Sequence, residues 1–268
     1  DLDYAIPDHW RVDGARLAAL NQKLAYQILI HKKVPKPGSC SDTTRNNIEH
    51  TKDEVERVTG IRPTEKQIWK GISKKPIQRK KTDFLWKLLH DRVRCGKYFK
   101  HIPGWEDKQY CQCGEIENPE HVLTECELTS EIWDKIAAVW TATAETKWTR
   151  PTRGIIQGIG SLRFMNEQQQ EMHSDTYYYK VLIMEAAWEL WKYRNKAIFE
   201  HKARDSEEVF QHWKKSVRTI IINEWETIKL MPFSKQTSRK REFKQRWARD
   251  GVARVEKDDE TEKLIVEL

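Results

Sequence analysis

Cys111, Cys113, His121 and Cys126 stand as C-x-C-x7-H-x4-C within YCQCGEIENPEHVLTEC. Three thiolates and one imidazole fill a tetrahedral Zn2+ shell, and a filled shell leaves no open position for water or substrate. The spacing therefore predicts one structural Zn2+ and no catalytic metal. Gly114, directly after the second cysteine, permits the positive φ with which a chain turns around an ion. Pro119-Glu120 favours the start of a helix that carries His121. Five residues of ideal helix separate two side chains by about 140°, so the H-x4-C step requires the helix to loosen or end near Cys126. The competing readings are unligated buried thiols or a disulfide, and C-x-C is one residue tighter than the commoner C-x2-C. Against them, four of the six Cys and His residues between 95 and 126 fall within sixteen positions. Cys40 and Cys95 lie outside the cluster and read as free thiols, a usage that suits a reducing compartment.

The elements that position these ligands must be built from an unusual composition. Only 38% of the 268 residues are hydrophobic and 33% are charged, so the core rests on few, large side chains. Twelve Trp, eight Tyr and seven Phe supply them, and aromatic rings bury the most area per residue. The net charge of +7 is modest but segregated, with 13 basic and 3 acidic residues from Arg62 to Lys100 against 2 basic and 9 acidic from Gly104 to Lys135. Within the basic stretch, Lys74, Lys75, Arg79, Lys80, Lys81, Arg92, Arg94 and Lys97 are the candidates to track a phosphate backbone, each contact displacing counterions. Trp86 and Tyr98 beside them could stack bases. A solvated helix face produces the same charge pattern. A second patch, Lys235 to Arg249, reads as a surface helix held by Phe243 and Trp247. No apolar run approaches the roughly 18 residues of a membrane span, and the first residues lack a signal-peptide pattern. The expectation is a nuclear or cytoplasmic protein, not secreted and without membrane contact.

Helical spacing dominates the chain. GARLAALNQKLAYQILIHKK carries an apolar face, and VPKPGS breaks it. A polar helix is expected from about Ser41 to Thr59 with Gly60 as its stop, and Thr64 with Gln67 reads as a capping box. RKKTDFLWKLLHDRVRCGKYF places Phe84, Leu85, Leu88, Leu89 and Val93 on one face and Lys/Arg on the other. Ser130 is expected to cap EIWDKIAAVW. The longest candidate spans about Asp175–Lys202, and its partner starts at Asp205. Strand patterns arise only in VARV and LIVEL at the end of the chain. The fold class is all-α around a small CCHC zinc knuckle. Four segments are expected: 1–60 as an N-terminal extension, 61–142 with basic helix and knuckle, 143–230 as a helical pair, and 231–268 as a charged tail. The 77–94 helix is expected to pack on the 130–141 helix through Phe84, Leu88, Trp133 and Trp140.

Phe84-Leu85-Trp86 with Leu89-His90, then Cys113-Gly114, Glu117, His121 and Cys126, then Trp188, Trp191, Lys192 and Arg194 together resemble the zinc-binding region at the C-terminal end of non-LTR retrotransposon reverse transcriptases of the fungal type. That pattern reads FLW-x-x-LH, C-x2-C-G-x-x-E-x-x-x-H-x-x-x-x-C and W-x-x-W-K-x-R. The opening GARLAALNQKLAYQ is similar to the linker after the ribonuclease H domain in such polyproteins. The resemblance runs roughly from Gly14 to Phe199, with one departure: the family's first cysteine falls at Tyr110, whereas here it is Cys111. It implies reverse transcriptase and ribonuclease H domains as partners and, were the chain complete, a truncated element or a host-retained remnant.

Three function classes follow. The preferred one is a non-catalytic module that binds RNA or DNA, with the acidic knuckle bracing the basic helix rather than touching bases. The second is a helical interaction domain of the same polyprotein without nucleic-acid contact. The third, a nuclease remnant, requires a set of metal-binding carboxylates that the sequence does not display. His90 reads as a hydrogen-bonded, partly buried residue, Trp188 and Trp191 as core, and Glu185 and Glu189 as solvent-facing or paired with Lys192 and Arg194. Nothing forms a nucleophile–base pair, a P-loop or a dinucleotide fingerprint, so no small-molecule substrate is expected.

Overall fold

The computed structural model describes residues 21–23, 25–26, 40–203, 205–258 and 261–268. The chain divides into two compact units, residues 1–43 and 44–268. In the first, the Ala25 amide donates to the Asn21 carbonyl across one helical turn (2.9 Å). Most of the helix expected in GARLAALNQKLAYQILIHKK, and the break at VPKPGS, lie outside the described residues. The second unit holds most of the described residues.

That unit is mostly helical. Helix α1 (Cys40–Thr59) ends at Gly60, and α2 (Glu65–Gly71) opens on the expected capping box. The Gln67 amide donates to Thr64 Oγ1 (3.2 Å) and the Thr64 amide to Gln67 Oε1 (2.7 Å), which satisfies two donors the helix end would leave orphaned. Next come α3 (Arg79–Leu89), α4 (Glu127–Thr143) and α5 (Arg153–Gly158). The chain closes with α6 (His173–Phe199), α7 (Ser206–Lys229), α8 (Phe233–Trp247) and an antiparallel hairpin of β1 (Ala253–Asp258) and β2 (Thr261–Val266), registered Ala253 to Val266.

Helix α6 is the central element, buried on almost every side for most of its length, buried charges included. Helix α7 lays Trp213, Val217, Ile221 and Trp225 against it, and the Trp213 indole N–H donates to the Leu182 carbonyl (3.0 Å). Helix α8 seats Phe243 beside Trp225 and Trp247 beside Tyr177 and Tyr178. On α4, Trp140 stacks on Tyr178 with ring centroids 5.5 Å apart. One continuous cluster of buried side chains runs from Ile48 to Leu268. Among the described residues no helix is long and apolar enough to cross a membrane.

Three expectations need correcting. The basic helix stops at Leu89 and does not reach Arg94, because Asp91 takes φ +52°. The Asp91 amide donates to the Leu88 carbonyl (3.3 Å) and the Arg92 amide to the Lys87 carbonyl (2.7 Å), the hydrogen-bond pair of a Schellman C-terminus. Helix α4 starts a turn before Ser130, with Cys126 in the N-cap position. Finally, α3 does not take α4 as its partner. It packs on α5 and α6, with the Phe84 ring between Trp188 (5.8 Å) and Trp191 (6.0 Å).

Candidate metal centre and the adjoining cleft

A short antiparallel bridge between Tyr110 and Ile116 closes the loop that carries the first two cysteines. Inside it the Cys111 amide donates to the Glu115 carbonyl (2.8 Å) and the Gly114 amide to the Cys111 carbonyl (2.9 Å). Gly114 sits at φ +91°, in the left-handed region where a side chain would be strained. The other two ligands come from a π-turn, His121–Glu125. The Cys126 amide donates to the His121 carbonyl five residues back (2.9 Å). This wider turn is the loosening that H-x4-C requires, and π-turns concentrate at functional sites. Its spare carbonyls are taken up by side chains: Thr129 Oγ1 donates to Val122 (3.0 Å) and the Trp133 indole N–H to Leu123 (2.7 Å).

The four ligand atoms lie within 4.8 Å of one another. Cys111 Sγ is 3.7 Å from Cys126 Sγ, and Cys113 Sγ is 3.4 Å from His121 Nε2. Bonds of about 2.3 Å to a tetrahedral metal imply ligand–ligand edges of about 3.8 Å, so both separations are of metal-site length. The sulfur pair is far beyond the roughly 2.05 Å of a disulfide. Cys111, His121 and Cys126 are buried and Cys113 is exposed. Cys126 occupies the N-cap position of the 17-residue helix α4, without a side-chain capping hydrogen bond. The cluster can hold a metal ion, with the ligand that departs from the C-x2-C pattern, Cys111, fully enclosed.

The centre is tied to the rest of the fold by Glu117 and Arg194. Arg194 is wholly buried near the end of α6, and its guanidinium contacts Glu117 Oε2 at 2.5 and 2.6 Å. It lies over the rings of Phe99 and Trp191 and donates through Nη1 to the Arg94 carbonyl (3.1 Å). Gly96 completes the joint: a Cβ there would stand 1.6 Å from the Glu117 carbonyl oxygen, so only glycine lets the two backbones meet. One buried cation thus locks the metal loop and the 91–98 segment onto the same helix.

Of the candidate phosphate-binding residues, Lys74, Lys75, Arg79, Lys80, Arg92, Arg94 and Lys97 are exposed. Lys81 is not. Its side chain is 2% exposed and ion-paired with the buried Glu185, and burial lowers its pKa against the pull of that carboxylate. The α3 stop also removes Arg92, Arg94 and Lys97 from the helix face, setting Arg92 and Arg94 on a loop and Lys97 in the short 3-10 helix Gly96–His101 that ends it. This loop forms one wall of a cleft of about 1130 Å³, with Trp86, Trp188 and Trp191 on the helical side and Ile116–Pro119 of the metal loop at its end.

No protein-family model, curated protein or solved structure matches this chain. The functional reading therefore rests on the geometry of the site.

His90, Cys95 and the Glu189–Lys192 pair keep the roles read in the sequence, whereas Glu185, Trp188 and Trp191 differ. Glu185 and Glu189 are buried. Glu185 pairs with Lys81, while Glu189 pairs with Lys192 (2.6 Å) and accepts from Ser216 (2.8 Å). Trp188 and Trp191 pack against the core but are only partly buried, and they line the cleft. His90 is a partly buried, hydrogen-bonded residue, its Nδ1 2.8 Å from Thr44 Oγ1 and its ring between Trp69 and Trp86. Burial, with the Arg92 charge, holds its pKa below the ordinary histidine value. Cys95 is buried outside the cluster, and burial pushes its thiol up to about 12. The Glu117–Arg194 pair was not foreseen. A signal for it existed: an arginine on a helix buried for most of its length needs a buried acid.

Proposed function

We propose that this chain is a non-catalytic nucleic-acid-binding module, of the kind found at the C-terminal end of non-LTR retrotransposon reverse transcriptases, whose Cys111, Cys113, His121 and Cys126 hold one structural Zn2+. Thiolate and imidazole ligands at tetrahedral spacing suit Zn2+, and four protein ligands leave it no catalytic position. The observation that carries the binding reading is the pairing pattern around the cleft. Its carboxylates are neutralised, Asp83 by Lys87 (2.7 Å), Asp91 by Arg153 (2.9 Å) and Glu117 by Arg194 (2.5 Å). Arg92, Arg94 and Lys97 have no carboxylate within ion-pair distance among the described residues. Cations left over after every local acid is matched are what a polyanion displaces counterions to reach.

The metal centre's part is mechanical. It carries about one net negative charge with three thiolates, so it repels phosphate, and it acts by fixing Glu117, through which Arg194 holds the Arg94 backbone. Support for the family assignment comes from the same contact, because the acid of the metal motif and the arginine of the W-x-x-W-K-x-R motif meet. Elemental analysis of the purified protein and salt-dependent binding of RNA and DNA test the proposal. Absence of binding at low salt would leave a helical interaction domain in its place.

A further inference from the structure

Resting on the nucleic-acid reading above, we infer that the cleft beside the metal centre takes unpaired bases of a single strand and stacks them on Trp86 and Tyr98. Trp86 is 46% exposed and Tyr98 45% exposed, and both line the cleft. Each is backed by a neighbour that fixes its plane: the His90 ring lies 4.2 Å from Trp86, and the Arg94 guanidinium stands 5.3 Å from the Tyr98 ring. Behind them Phe84, Trp188 and Trp191 form a packed aromatic floor, and Lys80 lies over Trp188 at 6.0 Å. The exposed faces of Trp86 and Tyr98 share the cleft with Arg92, Arg94 and Lys97, so the surface has one chemistry: flat π-faces bordered by positive charge.

That chemistry discriminates between nucleic-acid forms. In a duplex the base faces are occupied by each other, so a duplex can use only the cations. A single strand offers both a π-face and a phosphate per nucleotide, and aromatic stacking tolerates any base. The cleft's volume of about 1130 Å³ exceeds the roughly 300–1,000 Å³ of pockets that enclose a drug-sized ligand, so it has room for a nucleotide unit. An acidic peptide could satisfy Arg92, Arg94 and Lys97 but would leave Trp86 and Tyr98 bare, which is why the rings favour a single strand over a protein partner.

The test uses the full chain with fluorescein-labelled single strands and blunt duplexes of about 12 nucleotides, together with poly-aspartate as a competitor, read by anisotropy at about 50 mM salt. Trp86→Ala and Tyr98→Ala should each weaken single-strand binding by about 10-fold, the ratio that about 1.4 kcal/mol represents. Duplex affinity and the salt slope should stay unchanged. Trp86→Phe should keep most of the affinity. Both rings lie at the surface, and unchanged metal content and circular dichroism establish that the variants fold. Equal binding of single strand and duplex, no loss in either alanine variant, or displacement by poly-aspartate as readily as by oligonucleotide overturns the inference while leaving the binding function standing. No binding to any nucleic acid removes both.

Discussion

Arg194 and Glu117 are 77 positions apart and meet as a buried ion pair at 2.5 Å. The pair is the joint between the metal loop and the central helix, and through the Arg94 carbonyl it also sets the basic loop. Removing one partner of a buried pair leaves an uncompensated charge and costs about 3–5 kcal/mol, whereas replacing both with apolar or neutral groups is far milder. Arg194→Met should therefore lower stability in urea unfolding by about that amount, and Glu117→Gln combined with Arg194→Met should recover part of the loss. If Arg194→Met alone is as stable as the wild type, the pair is not the joint.

Metal removal should act on the fold first. Structural Zn2+ in small sites is worth about 10–16 kcal/mol, comparable to the whole stability of a domain, about 5–15 kcal/mol. His121→Ala or Cys126→Ser should abolish stoichiometric metal in elemental analysis and unravel the 110–126 segment. Hydrogen exchange should show loss of protection there and at the start of α4, where Cys126 holds the N-cap position. Undiminished thermal stability in excess chelator, with one metal ion per chain before treatment and none after, would contradict a structural role.

Lys80 and Lys81 are neighbours with opposite fates. Lys80→Ala should leave stability within about 0.5 kcal/mol, the usual range for surface substitutions, and weaken nucleic-acid binding. Lys81→Ala strands Glu185 in the core and should destabilise by about 3–5 kcal/mol. Thermal unfolding and oligonucleotide titration of both variants separate surface cation from core cation.

Lys180 supplies a pH signature. It is buried against the Gly160 carbonyl (3.2 Å), and burial, with Lys74 and Arg163 nearby, lowers its pKa to about 8. Below that value both states carry the proton and the cost of burying the charge is complete. Between about 8 and the unfolded value of about 10.4, the folded state has released the proton and the unfolded state has not, so stability rises with pH. Lys180→Met should stabilise the protein by about 1–3 kcal/mol at pH 7, and the gain should fade toward pH 10. A pH-independent difference in urea midpoints would contradict this.

Much of this was legible in residue types and spacing, and the failures have physical causes. The Cys/His cluster and the need for a loosened turn at H-x4-C could be read directly, because coordination demands fixed residue types; the form the loosening takes, a π-turn, could not. The Thr64–Gln67 box, the Asp205 cap and the strand patterns of VARV and LIVEL followed from local chemistry, whereas the pairing of those strands into a hairpin did not. Helix α3 was drawn too long because Asp91, unlike glycine, gives no clear stop signal, yet it accepts φ +52°. Lys81 was misread as surface although it shares the i, i+4, i+7 stripe of Leu85 and Leu88, where the apolar face required burial. Glu185 is its counterpart on α6. Long-range pairs of this kind, 104 and 77 positions apart, leave no local trace beyond a charge in an apolar setting.

The central claim is that unpaired cations beside a metal-braced loop bind nucleic acid, and the salt dependence of oligonucleotide affinity tests it most directly. Wild-type protein should bind RNA or DNA with log K falling linearly in log salt. Replacing Arg92, Arg94 and Lys97 together with Ala should flatten that slope by about 2–3, at about 0.7–0.9 per neutralised phosphate, with similar losses across sequences and an unchanged circular dichroism spectrum. No wild-type binding at about 50 mM salt, or a triple variant whose slope equals that of the wild type, would contradict the account.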